Sequence, residues 1–299
     1  MILTRITKYI PLIVCLVINL STYGKDGVNI WEGTSCTSDV RLIPYLAEGD
    51  NNIACLVCPG GSYFWLDTET EGIGVAKWLQ ANGISAFVLE YRVGGIPAFI
   101  THYRLFSRGN RYPDMLQDVQ RSIQLVRENA SEYDIDPNKV GVMGFSAGGH
   151  LTAMSGEFFD TDVLSLVGIK PTVSLRPNFI APIYPVVSFT DPSVHKRSRR
   201  GALGEGKSIN TAMKDSLSLE KHVRVDMPPT FLMNCMDDPI VKYHNSELLD
   251  SAMTAKGVHH KYIQYKTGGH GFGATPEKTT SEAIQWREEF LEWIKTLFK

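Results

Sequence analysis

The feature that most constrains this chain is the segment Gly-Phe-Ser-Ala-Gly at residues 144–148. It follows Val140 and Val142, which alternate with small residues and predict a buried parallel strand. A tight strand-to-helix turn needs glycine two positions before and after its serine, because side chains there would collide with neighbouring backbone. Such a turn would lift the hydroxyl of Ser146 out of the end of a sheet and aim the N–H of Ala147 beside it. Ser146 is therefore a candidate nucleophile, and a structural turn serine is the alternative.

Length and charge limit the possible architectures and partners. At 299 residues, of which 43% are hydrophobic, the chain can bury one large core or two modest ones. No internal repeat, low-complexity run or linker divides it, so we predict one domain over residues 25–299. A formal charge of −2 gives no field that would favour nucleic acid or an acidic membrane surface. The basic run at residues 195–200 is interpreted as a solvated loop rather than an anion or substrate site, because no aromatic residues are interleaved with it.

The N-terminal segment has the pattern of a targeting sequence. Arg5 and Lys8 precede an apolar stretch at residues 9–20, which is shorter than the about 20 residues that a membrane-spanning helix needs. Small residues at Thr22 and Gly24 offer a cleavage point. We predict a signal peptide over residues 1–24, removed on export to the periplasm or the medium, with a retained membrane anchor as the alternative.

The cysteines leave the disulfide pairing open. Cys36, Cys55, Cys58 and Cys235 remain after the predicted cleavage, and an oxidising compartment would allow disulfides. Cys55 and Cys58 lie on one short predicted strand, so they cannot bond each other without breaking it. No zinc-type spacing of Cys or His occurs in the sequence, and we expect neither a metal nor a cofactor.

Hydrophobic patterning predicts alternating strands and helices. Strands are predicted at residues 53–58, 84–91, 140–145, 179–187, 230–235 and 260–265, with residues 25–46 at a sheet edge. Helices are predicted at residues 71–82, 116–133 and 246–255, and a last helix begins at a capping box of Thr279 with Glu282. This alternation predicts a mostly parallel sheet with right-handed crossovers and helices on both faces. The long loop at 92–111 and an excursion at 188–224 are expected to border the substrate site.

Polar and glycine residues follow three of the predicted strands. Gly61 and Ser62 come after the strand at 53–58, where glycine lets backbone approach a ligand closely, so their N–H groups are candidate oxyanion donors. An ordinary Pro-Gly turn is the alternative. Because a serine hydroxyl is a poor nucleophile, Ser146 needs a base and a group that orients the base. His270, flanked by glycines, is the candidate base, and Asp237-Asp238 supplies the candidate acid.

Together these segments resemble a known family. The matching segments are Pro59–Tyr63, Glu71-Gly72, Leu89–Arg92, Tyr112–Asp114 with Asp118, Gly144–His150, Asp237–Pro239 and Gly269–Phe272. They are similar to the exported esterases of polysaccharide breakdown, the acetyl xylan and feruloyl esterase-like branch of the α/β-hydrolases. The chain order of serine, aspartate and histidine is that of this fold. The resemblance implies the α/β-hydrolase fold, a triad of Ser146, Asp238 and His270, and an oxyanion hole of Ala147 with Gly61 or Ser62.

The resemblance also implies a function and a substrate class. We expect a serine carboxylesterase that removes acetyl or other small acyl groups from xylan-type polysaccharides or oligosaccharides. Tyr63, Trp65 and Phe272 adjoin the implied site and are candidate substrate contacts. Two alternatives stay open, namely a peptidase or amidase similar to prolyl oligopeptidases and a binding module that kept the fold without the chemistry.

Overall fold

Within residues 27–49, 51–103, 109–206 and 209–299, which the computed structural model describes, eight strands form one sheet. They are β1 (Val28–Asn29), β2 (Arg41–Tyr45), β3 (Ile53–Cys58), β4 (Ile84–Glu90), β5 (Val140–Phe145), β6 (Ile180–Ile183), β7 (Thr230–Cys235) and β8 (His260–Tyr265). Their order across the sheet is β1-β2-β4-β3-β5-β6-β7-β8. Strand β2 is antiparallel to β1 and β4, and every other neighbouring pair is parallel. The predicted mostly parallel sheet is confirmed.

Strand β5 occupies the middle of the sheet. It pairs with β3 on one side and with β6 on the other, and every residue of β5 is buried. The carboxyl ends of β3 and β5 lie level with each other, because Cys58 pairs with Gly144 in the register. In an open parallel sheet the loops at this edge converge, and ligands bind there. The loop that follows each of these strands therefore reaches the same edge of the molecule.

Helices cover both faces of the sheet. They are α1 (Gly74–Ala81), α2 (Gly95–Thr101), α3 (Asp114–Glu128), α4 (Ala147–Glu157), α5 (Lys196–Leu203), α6 (Thr211–Asp215), α7 (His244–Lys256) and α8 (Trp286–Leu297). Alternate residues of β3 contribute to two separate hydrophobic clusters, as the strand period of two requires. One cluster contains the apolar stripe of α3, and the other contains the aromatic face of α8. A helix is therefore found in each of these two regions, as predicted.

Several local predictions differ from the structure. The strand predicted at residues 179–187 is limited to Ile180–Ile183, and the helix predicted at 71–82 is a π-helix at Thr68–Ile73 followed by α1. The last helix begins at Trp286 after a short 3-10 turn at Ala283–Gln285, and Thr280, not Thr279, accepts the N–H of Ala283. The hydroxyl of Thr279 donates instead to the carbonyl of Gly268, so a tertiary contact takes the residue that the capping-box pattern had selected. The long loop at 92–111 contains a helix, α2, in its described part.

The N-terminal prediction falls on residues that the structure does not describe. The predicted signal peptide at residues 1–24 lies outside the described residues. Among the residues that are described, no helix combines the length and the apolar character that crossing a membrane requires. Cys36, Cys55, Cys58 and Cys235 are all free thiols, and three of them are buried.

Candidate active site

Ser146 lies in the turn between β5 and α4 with an unusual backbone conformation, at φ 55° and ψ −115°. A non-glycine residue in such a region is strained, and such residues cluster at functional sites. The flanking glycines are required by space, because a Cβ on Gly144 would overlap the carbonyl of Gly148. A Cβ on Gly148 would in turn overlap the carbonyl of Cys58 at the end of β3. The Gly-x-Ser-x-Gly pattern is thus explained by the close approach of α4 to two strand ends.

His270 and Asp238 complete a hydrogen-bonded chain that begins at Ser146. The Oγ of Ser146 lies 2.9 Å from Nε2 of His270, and Nδ1 of His270 lies 2.6 Å from Oδ2 of Asp238. The Asp238 side chain is 1% exposed, and its Oδ1 accepts the N–H groups of Ile240 and Val241 at 2.8 and 2.9 Å. The carboxylate is therefore fixed by backbone on one side and holds the imidazole on the other.

The neighbouring carboxylate, Asp237, has a different role in the structure. Its oxygens accept the N–H groups of Gly268 and Gly269 at 3.2 and 2.9 Å. These glycines immediately precede His270 in the chain, and Gly268 adopts φ 155°. Asp237 therefore anchors the backbone of the histidine loop, while Asp238 contacts the histidine side chain. The structure brings Asp238, not Asp237, to the imidazole.

The loop after β3 passes beside Ser146. A Cβ on Gly60 would lie 2.9 Å from the Cβ of Ser146, and the backbone then takes positive φ at Gly61 (133°) and Ser62 (58°). No hydrogen bond joins the N–H of Gly61 or Ser62 to any residue that the structure describes. The N–H of Ala147 belongs to the first turn of α4, where helices leave their N–H groups without an intrahelical partner. Donors from two loops are thus available around the serine.

A buried carboxylate, Glu71, ties these loops together, and sequence reasoning assigned it no role. Its Oε2 accepts the N–H of Gly60 at 2.8 Å, and its Oε1 accepts the hydroxyl of Tyr184 at 2.9 Å. The Tyr184 hydroxyl also accepts the N–H of Gly273 at 2.9 Å, and its ring lies 4.7 Å from that of His270. Burial raises the pKa of Glu71, and these donors oppose that effect. One pair of side chains therefore connects the loop after β3 to the histidine loop.

In the sequence, Glu71 is recognisable only as an acidic residue at the start of a predicted helix. Its partner Tyr184 lies 113 positions further along the chain, so sequence spacing gave no sign that the two would meet. Tyr184 also adopts φ 35°, which places it among the strained non-glycine residues near Ser146.

The structure buries two of the three candidate substrate contacts. Tyr63 and Phe272 are each 0% exposed, so neither side chain reaches a substrate surface. The Tyr63 hydroxyl lies 2.8 Å from Nδ1 of the buried His150, and Phe272 packs edge-on against Tyr184. Both aromatic side chains therefore lie in the interior, where they pack against residues that support the loops of the site. Trp65 is partly exposed and remains a candidate contact.

The basic run at residues 195–200 was predicted to be a solvated loop, and the structure shows it as mostly helical. It forms most of helix α5 and lies against the loop after β3, not in solvent alone. Nε of Arg197 donates to the hydroxyl of Ser62 at 3.0 Å, and the guanidinium lies 5.3 Å from the ring centre of Trp65. The aromatic partner of Arg197 is Trp65, which comes from the loop after β3. Because this loop is distant in the sequence, no pattern within the basic run could reveal the contact.

A metal centre is not apparent in the part of the chain that the structure describes. There, no group of three or more His, Cys, Asp or Glu side chains is arranged to hold a metal ion. His150 has bonds on both ring nitrogens, because Nε2 lies 2.9 Å from the carbonyl oxygen of Leu217 and Nδ1 contacts Tyr63. Burial lowers the pKa of His150 to about 4. It is therefore a neutral interior histidine.

Comparisons with known proteins find relatives whose names refer to xylan. An acetylxylan esterase of Xylanibacter ruminicola is 30% identical over 260 residues, which cover 86% of this chain and 48% of the relative. The endo-1,4-beta-xylanase B of Butyrivibrio fibrisolvens is 31% identical over 250 residues, covering 81% of this chain and 37% of the relative. The chain thus spans about half the length, or less, of these relatives.

A solved structure and a family model agree with these similarities. An acetyl ester-xyloside bifunctional hydrolase from Caldicellulosiruptor lactoaceticus superposes with a TM-score of 0.78 at 31% identity, covering 91% of this chain and 96% of the other. The BD-FAE family model matches residues 74–253, which is more than half of the chain. The chain therefore has the α/β-hydrolase fold and belongs to the BD-FAE family.

Proposed function

We propose that this protein is a serine carboxylic ester hydrolase that removes acetyl or other small acyl groups from xylan-type polysaccharides or their oligosaccharides. The observation that carries the proposal is the hydrogen-bonded chain from Ser146 through His270 to Asp238. The names of an acetylxylan esterase and of an acetyl ester-xyloside hydrolase among its relatives support the reaction and the substrate class.

The geometry supports an acyl-enzyme mechanism. Oγ of Ser146 attacks the ester carbonyl carbon while Nε2 of His270 takes the hydroxyl proton, and Asp238 holds the Nδ1–H of the imidazole. Negative charge develops on the former carbonyl oxygen, which the N–H groups of Gly61 or Ser62 and of Ala147 stabilise. When the tetrahedral intermediate collapses, the proton on His270 passes to the departing sugar oxygen. Water then attacks the carbonyl carbon of the acyl-serine while His270 takes a proton from that water. When this second tetrahedral intermediate collapses, the bond to Oγ of Ser146 breaks, His270 returns the proton to Oγ, and the carboxylic acid leaves.

The Glu71–Tyr184 pair gives this mechanism its preorganisation. Oxyanion donors act well only when they are already aimed at the point where charge develops. Glu71 holds Gly60 at the start of the oxyanion loop, and Tyr184 holds Gly273 and packs against His270. The buried hydrogen bond of 2.9 Å between Tyr184 and Glu71 thereby fixes the oxyanion donors relative to the base.

We also propose that residues 1–24 are a signal peptide and that residues 25–299 form the catalytic domain of a secreted or periplasmic enzyme. The basic residues before a short apolar stretch support this. N-terminal sequencing of protein recovered outside the cytoplasm is expected to start near Lys25, and an intact Met1 on cytoplasmic protein would overturn the proposal.

Replacing the nucleophile tests the reaction itself. Ser146→Ala removes the attacking oxygen and should lower kcat by about 1,000-fold or more, measured as acetate release from acetylated xylan and as p-nitrophenyl acetate hydrolysis. Ser155→Ala is the matched control, since Ser155 lies on the same helix and donates only to the carbonyl of Thr152.

Three results would contradict the proposed function. Equal rates for wild type and Ser146→Ala would remove Ser146 from the mechanism. Cleavage of amide but not ester substrates would indicate a peptidase or amidase. A wild-type protein that a fluorophosphonate probe does not label would indicate a binding module.

The two adjacent aspartates make a matched pair of variants. Asp238→Asn replaces the charge that orients and stabilises the imidazole, and we expect kcat to fall by about 10,000-fold. Asp237→Asn keeps an oxygen that can accept a loop N–H, so a loss within about 10-fold is expected. Steady-state kinetics on p-nitrophenyl acetate measure both, and a larger loss for Asp237→Asn would exchange the two roles.

Tyr184→Phe tests the contact between the two loops. The change leaves Oε1 of Glu71 and the N–H of Gly273 without their partner, so kcat should fall about 10-fold while KM changes little. Tyr265→Phe is the control, because the buried hydroxyl of Tyr265 has no hydrogen-bond partner among the described residues. Equal kinetics for the two variants would mean that Tyr184 only fills space.

A further inference from the structure

Helix α5 is seated directly on the loop that adjoins the nucleophile. A Cβ on Gly201 would lie 2.7 Å from the Cβ of Tyr63 and would overlap the carbonyl of Ser62, so the helix packs against this loop as closely as glycine allows. Ser198 and Ala202 are also buried on this side of the helix. The cations of α5 are consequently held in one place beside the active site.

These cations line a cleft next to the proposed active site. The cleft has a volume of about 380 Å³, within the range of ligand sites. Among the described residues, five basic side chains line this cleft, and we call it the basic cleft. They are Lys196, Arg197, Arg199, Arg200 and Lys214. Arg197 is its link to the active site, because this residue donates to the hydroxyl of Ser62 in the oxyanion loop.

The positive charge of the basic cleft is not neutralised by the protein. Among the described residues, none of its five cations has a carboxylate within ion-pair distance, whereas Arg92, Lys221 and Arg224 elsewhere do. Glu205, the acidic residue among the described residues that line the cleft, contacts His102, whose ring also contacts Arg200. Arg197 and Arg199 each donate one hydrogen bond to a protein oxygen. Net positive charge and the remaining donors of the cleft are therefore available to a ligand.

This arrangement opposes the stability of the helix that carries it. Lys196 lies three positions before Arg199 and four before Arg200, and like charges at these spacings destabilise a helix. Burial and the neighbouring Arg197 also lower the pKa of His195 to about 4, so the residue preceding the helix stays neutral beside these cations. A purely solvated helix face gains nothing from such crowding, whereas an anion bound in the cleft would relieve it.

The chemistry of the cleft suits an anion with two oxygens, such as a carboxylate or a phosphate, and a polysaccharide substrate would supply a carboxylate. Guanidinium groups match the two oxygens of a carboxylate with paired hydrogen bonds. The aromatic rings of Trp65, Phe64 and Phe99 lie under Arg197 and Arg200, at 5.0–5.3 Å from the guanidinium carbons, and hold these groups in place. Uronic acid units carry the carboxylates of plant polysaccharides, and they occur in the same chains as acylated sugars.

We infer that the basic cleft binds the carboxylate of a uronic acid unit in the polysaccharide chain whose acyl group Ser146 removes, so that the substrate class is an acylated acidic oligosaccharide. The inference rests on the proposed function for the position of the acyl group. The site runs from Ser146 along the oxyanion loop to Ser62, and from there to Arg197 and the rest of the cleft.

Binding of oligosaccharides without acyl groups tests the cleft independently of catalysis. Two xylo-oligosaccharides of equal length, one with a glucuronic acid branch and one without, are titrated into the wild-type protein by calorimetry at low salt. The acidic sugar should bind about 10-fold more tightly, and 0.5 M salt should remove most of the difference. Equal affinities at low salt would overturn the inference, whether or not the protein hydrolyses esters.

A pair of charge variants locates the effect. Lys196→Gln with Lys214→Gln removes two cations of the cleft and should reduce the preference for the acidic sugar at least about 3-fold. Lys256→Gln with Lys295→Gln removes the same net charge from exposed positions on α7 and α8 and should leave the preference unchanged. An equal reduction in both variants would assign the preference to net charge and overturn the cleft.

The acetylated forms of the same two sugars then separate the two sources of a carboxylate. The ratio of kcat/KM for the acidic to the neutral acetylated sugar should exceed about 10. If p-nitrophenyl hydrogen succinate is instead preferred over p-nitrophenyl acetate while the sugars are not distinguished, the carboxylate belongs on the acyl group and the inference is wrong. If neither acetylated sugar releases acetate, the proposed function fails, and the calorimetry alone decides the cleft.

Discussion

The structure depends on holding Ser146 in a strained turn at the middle of the sheet. A non-glycine residue at φ 55° costs about 1–3 kcal/mol, which must be offset nearby. The N–H of Ser146 donates to the carbonyl of Ile183 at 3.1 Å, and its own carbonyl accepts the N–H of Val186 at 3.1 Å. Because β5 is paired on both sides, the turn cannot relax without breaking the sheet. The serine is therefore fixed by the most rigid part of the molecule.

The side chains around Ser146 come from loops that the sheet gathers at one edge. His270 follows β8, Asp238 follows β7, and Gly60 follows β3, so parallel strands deliver all three to the same end. The sheet alone does not fix the relative positions of these loops, since each loop has its own freedom. The Glu71–Tyr184 contact removes that freedom by joining the loop after β3 to the histidine loop. Burying a carboxylate is costly unless donors satisfy it, and here backbone and phenol do so.

Much of this could be predicted because it follows from local patterns. The bounds of β3, β7 and β8 coincide with the strands predicted from the sequence, and residues directly after such strands must lie at the sheet edge. The choice between Asp237 and Asp238 could not be settled this way, since adjacent side chains point in different directions and only the loop geometry decides. The burial of Tyr63 could not be predicted, because its hydroxyl contacts His150, which lies 87 positions away in the sequence.

Helix α5 shows a different limit of sequence reasoning. Residues 196–200 contain no apolar side chain, so no hydrophobic period marks them as helical. Ser198, Gly201 and Ala202 are buried, and Gly201 lies against the loop after β3, a contact that has no signature within the segment. Tertiary packing thus decides the structure where local preference is weak.

The central sheet and the segment between β6 and β7 carry two different groups of side chains. Ser146, Asp238 and His270 are held by the central strands and their backbone, where substitutions disturb the core. The cations of α5 are carried by the segment between β6 and β7, which can change its charge without altering the pairing of any strand. Contact through Arg197 and Ser62 nevertheless keeps the two parts within reach of one substrate. Under the function that we propose, such a fold would hold its reaction geometry constant while one helix sets which sugar chain binds.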